Sequence, residues 1–195
     1  MQKGRQKKQL MERNKKGFTL VELLIVIGII AILSAAVIFV LNPAELLAQS
    51  RDAARIADFD TLRSAITLYL TDVASPTLGA TEYVTSGTAC GLGDALCTAS
   101  TDYTVDGGGW VDVNFTSVTG GSPLATLPRD PTNNANYNYA YDGDNTAKTF
   151  EINARLESTK HRTKMENDGG DDNTCTTYVE ATCYYEIGND PGLNL

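Results

Sequence analysis

Hydrophobic and polar positions divide the amino-terminal third of the chain sharply. Up to Gly17 it is polar and basic, with Lys3, Arg5, Lys7, Lys8, Arg13, Lys15 and Lys16 against the single acid Glu12. From Phe18 to Leu41 it carries no charge except Glu22. At about 1.5 Å of rise per residue this run predicts a helix of roughly 36 Å, long enough to cross a bilayer core of about 30 Å. Lys and Arg favour the cytoplasmic face, so the amino end is expected inside. Asn42-Pro43 then interrupts the run, because proline withdraws a helical donor and crowds the preceding turn. Asn42 is suited to cap a resumed helix with Pro43 at its first position. Ala44 to about Val73 contains no Gly or Pro, and Ile56, Phe59, Leu62, Ile66, Tyr69 and Val73 recur every three or four residues. This predicts an amphipathic helix with one stripe for a core. Its outer face is assigned Arg51, Asp52, Arg55, Asp58, Asp60 and Arg63, either solvated or paired along the helix or between subunits.

Ser75-Pro76 ends that helix, and residues 75–126 are rich in Gly, Thr and Ser. They include the Gly107-Gly108-Gly109-Trp110 turn and the alternating stretch Val111-Asp112-Val113-Asn114-Phe115; Trp110 is read as an anchor holding this loop on the domain in preference to a binding aromatic. Beyond Leu127, the runs Tyr137–Tyr141 and Thr149–Glu157 read as an antiparallel hairpin, with Asp142, Asp144 and Asn145 as its turn residues. A further strand is expected within Tyr178–Ile187. The class is therefore α+β: a long helix whose second half packs Ile56, Leu62, Ile66 and Tyr69 against a small antiparallel sheet. The length beyond the apolar run suits one compact domain.

The junction Lys15-Lys16-Gly17-Phe18-Thr19-Leu20-Val21-Glu22 resembles the signature of type IV prepilins and the related pseudopilins. A secretory signal ending near Ser34-Ala35-Ala36 fits less well, since its apolar region usually spans about 7–15 residues and this run continues past Ala36. A plain anchor would need neither Gly17 nor Glu22. The resemblance implies that a membrane-embedded aspartyl peptidase cuts between Gly17 and Phe18 and methylates the new amine of Phe18. Glu22 becomes the fifth residue. A carboxylate in hydrocarbon costs at least about 2.5 kcal/mol on insertion scales, so it seeks a partner. The amine of Phe18 in a neighbouring subunit is the cation at hand, and such pairing sets the axial stagger of helices in a fibre. A second, weaker resemblance, to the major pseudopilin of type II secretion, rests on Leu127-Pro128-Arg129-Asp130-Pro131 before the Tyr-rich hairpin.

The resemblance implies a leader at 1–17, an assembly helix at 18–41, an amphipathic spine at 42–74, a variable region at 75–126, and a sheet with a carboxyl-terminal disulfide loop at 127–195. The expected role is a structural subunit of a type IV pilus or pilus-like filament, a single-pass cytoplasmic-membrane protein before assembly and a surface filament after it. The alternatives are a secretion pseudopilin or a minor, adhesive tip subunit that binds surfaces or DNA. Implied partners are further copies in a helical filament, the prepilin peptidase and methyltransferase, the membrane, and an inner-membrane assembly platform driven by an ATPase.

Charge and cysteines add to this picture. The chain has 16 basic and 24 acidic residues, a formal charge of −8; without the leader 9 and 23 remain, a charge of −14. Such a surface disfavours general nucleic-acid binding. Cys90, Cys97, Cys175 and Cys183 all follow the apolar segment, which points to disulfides, with the local pairs Cys90–Cys97 and Cys175–Cys183 favoured over the other pairings. The acidic loop Asn167–Asn173 offers Asp168, Asp171 and Asp172 as calcium ligands, an expectation strengthened by the calcium-binding loop near the carboxyl end of the major pseudopilins, although solvated turns use the same residues. No other cofactor is indicated. His161 is the only histidine and is read as an exposed loop residue, and no catalytic constellation emerges, so the chain is expected not to be an enzyme. Arg155, Lys160, Arg162 and Lys164 form a candidate basic patch, for an anionic surface, DNA or the acidic face of another subunit. Asn114-Phe115-Thr116 fits the N-glycosylation acceptor pattern, a triplet that also arises by chance.

Overall fold

A computed structural model describes residues 17–87, 97–175 and 182–193. The chain separates after Asn42 into an amino-terminal helical unit and a globular head. In the first unit, helix α1 spans Leu20–Leu41, and its apolar side chains stand exposed from Leu20 through Val37. It stops at Asn42, whose φ of 40° lies in the left-handed region that closes helices.

The head begins with α2, Pro43–Asp72, with proline at the first position as its missing donor allows. Its buried positions are Ala48, Asp52, Arg55, Phe59, Leu62, Ala65, Ile66 and Tyr69, one stripe at three- and four-residue spacing. Phe59, Leu62, Ile66 and Tyr69 occupy the core as their periodicity predicts, whereas Ile56 lies at its edge and is only half-buried. Asp52 and Arg55, assigned from sequence to the outer face, are instead fully buried.

The sheet has five strands in the order β2-β1-β3-β4-β5: β1 Tyr83–Val84, β2 Thr98–Ala99, β3 Tyr139–Asp144, β4 Thr149–Ala154 and β5 Tyr185–Gly188. All pairings are antiparallel except β1 with β2, which run parallel, so the sheet is mixed. The hairpin turn lies at residues 145–148, and Asp142 and Asp144 belong to β3 rather than to the turn. Gly143 has a tertiary reason: a Cβ there would lie 2.5 Å from the carbonyl oxygen of Leu78, so glycine admits the segment after α2 across the strand. Tyr141 Oη donates to that carbonyl at 2.7 Å, and Asn145 Oδ1 accepts from Leu78 N at 2.7 Å.

Between β2 and β3 the chain wraps the core without forming a strand at 111–115. Val111, Val113 and Phe115 still alternate inward, and Phe115 opens a 3₁₀ turn. Trp110 is fully buried beside Tyr139, and its Nε1 donates to Pro128 O at 3.0 Å, the anchoring role read from sequence. Tyr139, also fully buried, donates to Asp58 Oδ2 at 2.8 Å and so ties β3 to α2.

Candidate processing and assembly site

Gly17, Phe18 and Thr19 precede α1 in non-helical conformation, and Phe18 is 90% exposed. A Cβ added at Gly17 would meet nothing within 4 Å, so the fold places no demand for glycine there; a demand would come from whatever reads the bond. Thr19 is extended (φ −78°, ψ 153°) and caps α1: its Oγ1 accepts from Glu22 N at 3.2 Å. In return Glu22 Oε2 accepts from Thr19 N at 2.8 Å and from Thr19 Oγ1 at 2.7 Å. This reciprocal capping box satisfies two groups that a helix start leaves unpaired and gives the lone acid of the apolar run partners within its own turn. Sequence reasoning sought an intermolecular partner for Glu22 and missed the box, although Thr-x-x-Glu before an apolar run is its signature.

The four cysteines divide by what is described. Cys175 and Cys183 are joined, with Cα atoms 5.0 Å apart. Cys97 is disulfide-bonded, and Cys90 lies outside the described residues.

Of the expected calcium ligands, Asp168 and Asp172 meet at one corner of the head, beside Glu186. Asp171 is exposed, while Asp168 turns to backbone amides, its Oδ2 accepting from Glu186 N at 2.9 Å and Oδ1 from Gly170 N at 3.2 Å. Among the described residues no group of three or more His, Cys, Asp or Glu is arranged to hold a metal. Glu186 on β5 is the missed member of this corner. It is 2% exposed; Oε2 accepts from Asp172 N at 3.1 Å, and Oε1 has no hydrogen-bond partner among the described residues. A Cβ at Gly170 would collide with this carboxylate. Burial foremost, then Glu151, Asp168 and Asp172, holds the Glu186 carboxyl well above the usual range. Asp172 is likewise pushed up to about 6, by burial and then by Asp171.

Three of the charges assigned to the outer face of α2, Arg51, Asp52 and Arg55, join a largely buried network, while Asp60 and Arg63 are exposed as assigned. Arg55 Nε donates to Asp130 Oδ2 at 2.6 Å, its Nη2 to Asp130 Oδ1 at 2.9 Å, and its Nη1 to Asp52 Oδ1 at 2.8 Å. Glu157 Oε1 lies 2.6 Å from Arg55 Nη2, and Arg51 also pairs with Glu157. Asp52 accepts from the backbone amides of Glu157 (2.8 Å) and Ser158 (2.7 Å). Asp130 accepts from those of Thr132 (2.7 Å) and Asn133 (2.9 Å). Burial pushes Glu157 up, but Arg51 and Arg55 overcome it and leave its carboxyl at about 2. Each buried charge is thus countered or hydrogen-bonded, as its desolvation requires. The Leu127–Pro131 element contributes Asp130 to the head's interior.

The remaining expectations are corrected by the same packing. Arg155 is 4% exposed and lies 4.3 Å over the Tyr184 ring, so the basic patch loses a member to the interior. His161 is half-buried, its Nδ1 3.2 Å from Ser158 Oγ and 3.8 Å from Asp52 Oδ2. One nitrogen serves both contacts, which is no relay geometry.

Residues 13–38 match the family described as the prokaryotic N-terminal methylation motif, a match covering the junction and most of α1. Nothing among curated proteins or solved structures matches the chain. The motif and the apolar α1 support a type IV pilin-like class III signal, and the α2-plus-sheet head is an α+β architecture consistent with the pilin fold. The signal implies processing by a prepilin peptidase and use by a pilus-type machinery, and a helix of this kind fits a membrane-anchored precursor.

Proposed function

We propose that the chain is a structural subunit of a type IV pilus or pilus-like filament, cut after Gly17, methylated at Phe18 and assembled through α1. The observation that carries this reading is α1 itself: hydropathy averages 2.8 over Leu20–Val37 and none of that span is buried. A helix apolar all round needs lipid or other helices around it. One filament core of packed α1 helices meets that need after the membrane has met it before. Glu22 rests in its capping box in the precursor and pairs with the Phe18 amine of a neighbour on assembly, which fixes the stagger. Head-to-tail contacts that do not close generate the helical fibre. The acidic heads form its outer wall, their work is assembly rather than chemistry, and the fibre ends at the cell surface.

The test is mass spectrometry of the amino terminus in sheared filaments from the native host. A start at Phe18 with one added methyl group, in the dominant protein of the preparation, is expected. A start at Met1 or near Val37 would overturn the reading, and a scarce chain starting at Phe18 would move it to a minor tip subunit. A secretion pseudopilin is the second reading, favoured by the Leu127–Pro131 element and its buried Asp130. Deletion of the gene separates the two: loss of surface fibres marks the pilin, and loss of protein secretion with fibres intact marks the pseudopilin.

A further inference from the structure

Asn114-Phe115-Thr116 is the single Asn-x-Ser/Thr triplet in the chain. Asn114 is exposed at the start of the 3₁₀ turn Phe115–Ser117 and is bridged to Asp106 across the loop. Its Oδ1 accepts from Thr116 N at 3.1 Å and from Thr116 Oγ1 at 2.5 Å. Both bonds go to the amide oxygen, and among the described residues none goes to Nδ2. Thr116, Ser117 and Thr119 to Gly121 are exposed, and a Cβ added at Gly120 or Gly121 would meet open space. This rim of the head therefore has room for a bulky substituent.

We propose that Asn114 is an N-glycosylation site, a reading that rests on export of the head. The donor class is a polyprenyl-diphosphate-linked oligosaccharide. Asn114 Nδ2 forms a bond to C1 of the first sugar while the bond from C1 to the diphosphate oxygen breaks, and its electron pair leaves with the diphosphate. The amide loses one proton, which the leaving diphosphate takes up, and nothing is oxidised or reduced. Phe115, between acceptor and hydroxyl, is fully buried in the core. A transferase that binds the triplet as an open segment therefore acts before this loop packs onto the head, and the folded head then holds the glycan outward.

The experiment is peptide mass spectrometry of the chain isolated from native membranes and filaments, with the amino terminus measured in the same sample. The peptide containing Asn114 is expected to carry a glycan mass that is lost in Asn114→Gln and Thr116→Ala and retained in Thr116→Ser. The wild-type and Thr116→Ser peptides keep the test decisive if either other variant fails to fold. A peptide at its sequence mass in a chain starting at Phe18 overturns this proposal alone. The same peptide in a chain still starting at Met1 overturns it together with the export reading. Added mass that persists in Asn114→Gln places the modification elsewhere and also overturns it.

Discussion

Replacing Glu186 by Gln should stabilise the head at neutral pH. The folded head holds this carboxyl protonated because it is 2% exposed and faces Glu151, Asp168 and Asp172, whereas the unfolded chain releases the proton near 4.5. A group whose folded pKa is raised supports the fold fully below its unfolded pKa, and that support is lost as pH rises toward the folded value. From pH 4.5 to 7 the loss is about 1.4 kcal/mol per unit, roughly 3 kcal/mol in all. Gln keeps the shape, leaves an oxygen to accept from Asp172 N, and aims an uncharged donor at the acidic neighbours. Urea unfolding of the full chain in detergent, followed by the fluorescence of Trp110, the only tryptophan, gives both stabilities against pH. Parallel series in chelator and in calcium keep metal binding from imitating the effect. The variant should exceed the wild type by about 2–3 kcal/mol at pH 7, and the two curves should converge near pH 4.5. A variant less stable at pH 7, or a difference that does not change with pH, would refute the reasoning.

Arg55→Ala should cost about 3–5 kcal/mol in the same assay, because it strands Asp52 and Asp130 in the interior; a loss under about 1 kcal/mol would show that the network matters little. Cys175→Ser with Cys183→Ser opens a link of sequence separation 8, for which chain entropy gives about 2.5 kcal/mol, read as a lower urea midpoint with the slope unchanged. Glu22→Ala should leave the chain inserted and cut but at least tenfold depleted from sheared filaments, measured by immunoblot of filament and membrane fractions; normal incorporation would remove Glu22 from assembly.

How far the sequence revealed the molecule differs between its parts. The spacing of Phe59, Leu62, Ile66 and Tyr69 disclosed the core face of α2, because apolar periodicity is a local property. Asp52 and Arg55 continue the same three- and four-residue spacing toward the amino end, so the phase was visible. Charge argued them outward; their own i,i+3 pair is local, but the partners 75 to 106 positions away that complete their burial are not. Gly143 imitates a turn signal, yet its cause is the approach of Leu78 from another segment. The pair β1 and β2, two residues each, is too short to leave a pattern, and Val111, Val113 and Phe115 alternate because they plug a core rather than extend a sheet. At the site, the junction residues were plain from order alone. Glu186 was hidden because its environment is assembled from β4, β5 and the acidic loop.

The bonds from Asp52 to the amides of Glu157 and Ser158 also set a schedule. Residues 105 and 106 positions apart must meet before the first half of α2 gains its buried partners. Contacts of such separation form late, after the loop between them has closed. While α2 is already made, Arg55 and Asp52 have only each other, three residues apart, and lack Asp130 and the amides of Glu157 and Ser158. A head built this way cannot complete its core until the chain has been supplied through Ser158, so the amino-terminal half of α2 waits on a segment 106 positions further along.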